Sequence, residues 1–161
     1  MKLLFFSLTL LFLVGCIKKT DEQIENKSNK VIYDSTKAKL YGADEYGMKT
    51  YVFAFLKKGP NRDLDSTERV ELQKAHLKNI SRMAKEGSLV LAGPFYGDGE
   101  IRGIYIFNVQ TIEEAKKLTE TDPAIQAGSL TMELIQWYGT AALLEVNGIS
   151  KTLAEKSFAV E

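Results

Sequence analysis

The chain has 161 residues, 45% of them hydrophobic and 26% charged, which suits one globular domain with room for a tail. Its 21 lysines and arginines balance 21 aspartates and glutamates, so no general attraction to nucleic acid or to an anionic surface is implied. A single cysteine excludes an internal disulfide, and a single histidine with no thiol nearby argues against zinc, so neither metal nor cofactor is expected.

Lys2 precedes an apolar run, Leu3 to Val14, broken only by Ser7 and Thr9. That is short of the ~20 apolar residues a membrane span needs, and it fits the start and core of a secretory signal peptide. The run ends in Leu13-Val14-Gly15-Cys16, which resembles the lipobox of bacterial lipoproteins. The resemblance implies that residues 1–15 are removed and that the Cys16 sulfur receives a diacylglycerol. Several acyl chains would then anchor the protein stably in the bacterial cell envelope, at the outer membrane on its periplasmic side or surface. A lipidated Cys16 is unavailable as nucleophile or metal ligand. Residues 16–48 read as a flexible tether and docking segment. They are polar to about Lys39, and Leu40, Tyr41, Tyr46 and Met48 are then suited to dock on the domain or cover a pocket.

The folded part begins with Thr50 to Leu56, apolar on both parities and rich in aromatic and β-branched residues, hence a central two-sided strand. Gly59-Pro60-Asn61 breaks it. Asp65 with Glu68 forms a capping-box pattern that opens a helix to about Glu86, with Gly87 as its stop. On that helix Val70, Leu77, Ile80 and Ala84 share a stripe, with Leu72, His76 and Met83 beside it. Leu89 to Ala92 is a short buried strand ending at Gly93-Pro94. Gly97-Asp98-Gly99 is turn chemistry, and Ile101 to Val109 returns as the second arm of a hairpin. Thr111 with Glu114 opens a second helix that Asp122-Pro123 ends, and Leu130 to Trp137 is the last strand.

The order β-α-β-β-α-β is the ferredoxin-like arrangement of an α+β fold, with helices covering one face of an antiparallel sheet. The C-terminal extension, residues 139–161, offers helical stretches at Ala141 to Val146 and Ile149 to Phe158 that would pack across a dimer. At one end of such a sheet the hairpin tip, the Asp122-Pro123 corner and the first half of the first helix come together. Asp98 and Asp122 are therefore both placed to reach His76. A carboxylate beside an imidazole orients it and fixes its tautomer, and histidine is the natural general acid–base near neutral pH. The plain alternatives are a core-edge histidine bound to a carbonyl or water, a turn aspartate, and a helix-end aspartate.

His76-Leu77, Gly93-Pro94, Asp98, Gly103, Asp122-Pro123, Gly128 and Trp137, within residues 49–138, resemble the YciI-like (YCII-related) family. That resemblance implies a homodimeric α+β barrel in which two sheets pack face to face. It also implies a His–Asp pair moving protons on small organic acids, in isomerase-, lyase- or dehydrochlorinase-like steps. Carried onto this sequence, His76 is the base, Asp98 its first-ranked partner and Asp122 its second, with Gly93 and Pro94 shaping the wall of the ligand pocket. The competing expectation is a non-catalytic lipoprotein module that binds a small molecule or a protein. An enzyme needs His76 within reach of a carboxylate and open to a pocket; a binding or structural module does not.

Overall fold

The computed structural model describes residues 31–156. The signal segment 1–15, Cys16, the polar stretch to residue 30 and residues 157–161 lie outside the described residues. Everything below concerns the compact unit that begins at Asp34.

Strand β1 (Met48–Lys58) is the centre of a four-stranded antiparallel sheet in the order β2-β3-β1-β4. Its neighbours are β3 (Ile101–Phe107) and β4 (Leu130–Thr140), and β2 (Leu89–Pro94) lies outside β3. This order is consistent with the ferredoxin-like arrangement expected of the sequence. Tyr51, Val52, Ala54 and Leu56 of β1 are all buried, as its apolar residues on both parities require.

The long helix α2 (Ser66–Glu86) starts where its capping box says it should. The Asp65 carboxylate accepts from the backbone N–H of Thr67 and Glu68, and the Glu68 carboxylate accepts from Asp65 N–H. It stops at Gly87, whose φ of 79° is the left-handed geometry that glycine adopts without strain. Helix α3 (Ile112–Thr119) opens with a second capping box, from Thr111 and Glu114. Past it, Pro123–Gln126 forms a one-turn helix, α4.

One core lies between α2, α3 and the sheet. Val52, Ala54, Leu56, Tyr105 and Phe107 meet Ile80, Met83, Leu89 and Ala115 there. Each large side chain buried in this way contributes about 1.5–3 kcal/mol. The buried stripe of α2 runs through His76, Asn79, Ile80 and Met83. Val70 is not part of it: residues 66–71 are exposed all round, and Val70 remains 53% exposed.

The opposite face carries a second cluster of Tyr51, Val90 and Ile106, with Leu143 and Leu144 packed on it. Those leucines come from a 3-10 helix, Ala141–Glu145, which leads into α5 (Val146–Leu153). The extension expected to reach across a dimer thus packs on its own chain's sheet. Asn147 holds it there by donating to the carbonyl of edge-strand Leu89 at 2.7 Å. The stretch read as tether is also corrected in part, because Ser35–Tyr41 is helical (α1). Asp34 caps its start, Gly42 ends it, and the Tyr41 hydroxyl donates to Glu145 at 2.6 Å, with Lys37 paired to the same carboxylate.

Candidate active site

His76 lies midway along α2 on the face turned to the sheet, and it is 8% exposed. Asp122 is at the α3–α4 corner and is fully shut off from solvent. Its location follows from local chemistry: Asp122 N–H donates to Thr119, its Oδ1 caps α4 by accepting from Ala124 N–H at 2.9 Å, and Pro123 fits the first helical position. The same carboxylate meets His76 Nδ1, at 3.0 Å for Oδ1 and 2.9 Å for Oδ2. A carboxylate accepts only, so the Nδ1 atom carries the hydrogen and the other ring nitrogen, Nε2, is left for chemistry.

His76 also lines a cavity of about 570 Å³ between α2 and the helix-facing side of the sheet. Gly93 and Pro94 form part of its wall, as do Leu56, Leu77 and Ile80. The polar lining residues besides His76 are Gln73, Arg102 and Tyr105. Gly103 is required where β2 and β3 converge at this wall, because a Cβ there would sit 2.6 Å from the Gly93 carbonyl oxygen. A second cavity of about 480 Å³ between α3, α4 and β4 contains none of the candidate residues.

Asp98, ranked first as partner from sequence, is exposed at the tip of the β2–β3 hairpin and makes no side-chain hydrogen bond or ion pair among the described residues. Gly97 and Gly99 beside it point their carbonyls at Arg102, which donates to them at 2.7 and 3.4 Å. The carboxylate that reaches His76 is Asp122, ranked second. Tyr105 of β3 was not singled out from sequence at all. Its hydroxyl lies 3.3 Å from His76 Nε2 and 3.5 Å from Asp122 Oδ2. Burial first, then the charge of Asp122 and the hydrogen bond to it, push the Tyr105 hydroxyl well above the usual phenol range, so it keeps its proton. Strand alternation does place Tyr105 on the helix-facing side, but alternation alone does not say that a histidine lies opposite.

Residues 51–138, more than half of the chain, match the YCII-related domain family. The chain belongs to that family. This YCII-related protein is also similar to a solved structure, a 5-chloro-2-hydroxyhydroquinone dehydrochlorinase from Burkholderia phenoliruptrix in complex with 2,5-dihydroxybenzoquinone. The identity is 20% and the TM-score 0.42, over 53% of this chain and 92% of that one. Comparison with curated proteins gives no match.

Proposed function

We propose that this YCII-related protein is an enzyme in which His76 moves a proton on a small organic acid bound in the cavity of about 570 Å³. The observation that carries this reading is the placement of His76. One ring nitrogen is held by a buried carboxylate at 2.9 Å, and the residue itself lines a cavity large enough for a small ring compound. Asp122 keeps the hydrogen on Nδ1 and stabilises the imidazolium that forms when Nε2 takes a proton. Isomerase-, lyase- and dehydrochlorinase-like reactions share that first step. A C–H bond breaks, the proton forms Nε2–H, and the electron pair stays on the substrate. It then reforms a bond elsewhere or expels a leaving group as the proton is returned. Leu56, Leu77 and Ile80 supply the apolar wall that excludes water from this exchange, while Gly93 and Pro94 shape the approach of the ligand. The same proposal includes a homodimer formed through the open sheet face and an envelope anchor at Cys16, on the sequence pattern of Leu13 to Cys16.

The test is a thermal-shift screen of the purified protein against small organic acids, lactones and phenols, followed by deuterium exchange and turnover assays on the hits. His76→Asn is the variant to compare, because its amide can occupy the place of Nδ1–H against Asp122 yet cannot act as a base. A ligand at about 100 times its Kd stabilises the native state by ~2.7 kcal/mol, a readily measured rise in Tm. Hits that bind both proteins, but exchange or turn over only with His76 present, support the enzyme. If no compound binds, or if bound ligands are untouched by the unsubstituted protein, the non-catalytic binding module takes its place.

A further inference from the structure

Arg102 lines the cavity, and the acid–base reading leaves it without a task. Strict alternation along β3 would turn it, with Ile104 and Ile106, to the face away from the helices. The pairing is not strict there. Leu56 pairs with Gly103 and Lys57 with Ile101, so Arg102 is the extra residue of a β-bulge. A bulge re-aims a side chain, and Arg102 shares the lining with its neighbours Gly103 and Tyr105. The hairpin tip holds its guanidinium, because Nη1 donates to the carbonyls of Gly97 and Gly99. Nε and Nη2, the two nitrogens of its side fork, have no hydrogen-bond partner and no ion pair among the described residues.

Charge gives that open fork its meaning. Among the described residues Arg102 carries the only fixed charge on the lining, which includes no carboxylate. Behind His76 lies the buried Asp122 carboxylate, whose negative charge opposes the entry of an anion. A cation in the same cavity offsets that repulsion, and Arg102 is the one present. A guanidinium fork meets the two oxygens of a carboxylate with two parallel N–H···O bonds, a match that neither a single phenolate oxygen nor a neutral amide completes. We propose that Arg102 is the specificity-determining residue of the cavity and takes the substrate's carboxylate through Nε and Nη2, an assignment that rests on the acid–base reading of His76. The carboxylate then sits at the hairpin wall and the reacting C–H at His76, with the apolar body of the ligand along Leu56, Leu77 and Ile80. Because Gly97 and Gly99 hold the guanidinium before a ligand arrives, the fork loses little freedom on binding. No proton changes hands at Arg102.

The test is calorimetric titration of the purified protein at neutral pH with benzoate, 2-hydroxybenzoate and cinnamate, each beside its primary amide. The acids are expected to bind at least about tenfold more tightly than their amides. His76 is the only histidine of the chain, so a displaced imidazole signal in the untagged protein places each ligand in this cavity. Arg102→Gln should weaken the acids roughly tenfold to a hundredfold and leave the amides unchanged, which abolishes the preference. Arg102→Lys keeps the charge without the fork and should retain only part of it. Loss of the amides as well would mark a deformed hairpin wall in Arg102→Gln. Arg102→Lys then carries the test, and a preference kept in full there counts against the proposal. The proposal is overturned if no acid of this set or of the screen above binds, if acids and amides bind alike, or if the preference survives Arg102→Gln. These readouts need no turnover. Acids from the screen that bind through Arg102 yet are left untouched by the unsubstituted protein would sink the acid–base reading and keep this assignment. Turnover that needs His76 but ignores Arg102 would do the reverse.

Discussion

Asp122 has two duties at one carboxylate. Oδ1 caps α4 through Ala124 N–H, and both oxygens face His76 Nδ1. The two can be separated by substitution. In Asp122→Asn the amide oxygen can still cap α4, but the imidazole loses the negative partner that fixed its tautomer and stabilised its charged form. Turnover is expected to fall at least ~100-fold, with a modest loss of stability. Asp122→Ala removes the cap as well and leaves buried donors unmatched, so unfolding by urea should show a loss of about 3 kcal/mol. Asp98→Asn is the control, because that side chain is exposed and makes no hydrogen bond or ion pair among the described residues. It should stay within ~0.5 kcal/mol of the unsubstituted protein and leave turnover unchanged. A dead Asp98→Asn with an active Asp122→Asn would restore the ranking suggested by sequence.

Among the elements, the hairpin wall and the helix caps can be tested separately. Gly103→Ala drives a Cβ against the backbone of Gly93 and should destabilise by about 1–3 kcal/mol while narrowing the cavity. Thr111→Ala removes the N-cap of α3 and should cost about 1 kcal/mol. Hydrogen bonds from the Thr111 hydroxyl, then from the backbone of Thr111 and Gln110, hold the Glu114 carboxyl below its usual range. The sign follows from linkage. A depressed carboxyl contributes stability that is present above its unfolded pKa and lost as pH falls through the folded one. Thr111→Ala should therefore flatten the acid limb of a Tm-against-pH curve; an unchanged limb would mean that the box carries no such linkage. The caps were legible in the sequence because each is settled within three or four residues. Helix α1 was not. It buries no residue of its own, and its tie to Glu145 crosses a separation of 104 positions. Topology brought both aspartates to the end of the sheet that holds His76. What chose between them was the one-turn helix after Pro123, which draws Asp122 inward, and the glycines flanking Asp98, which leave it outside.

For the whole molecule the open question is what covers the rest of the sheet. Leu143 and Leu144 occupy one end of the face opposite the helices. Beyond them the strand register lines up Phe53, Phe55, Ile104, Ile135 and Trp137 on that face. The aromatic rings are grouped, with Phe53 4.9 Å from Phe55 and 6.2 Å from Trp137 between centroids. Ile135 and Trp137 nevertheless remain 45% and 37% exposed. An apolar sheet face calls for a second layer, and a patch that meets its own copy about a two-fold axis supplies one without any new sequence. A stable dimer of this kind buries about 800 Å² per partner. The homodimer is therefore the expected state in sedimentation velocity. Ile135→Lys is the variant to make, because a side chain already half in solvent contributes little to its own chain's core. Its circular dichroism and Tm should stay near those of the unsubstituted protein at low concentration, while its sedimentation falls to that of a monomer. A charge forced into the centre of the face would have to be buried unpaired twice, once from each copy, which outweighs what the remaining apolar contacts return. If the unsubstituted protein sediments as a monomer at every concentration, the two-fold contact is wrong. The aromatic group would then be a face for some other partner, and the cavity at His76 would have to be complete within one chain.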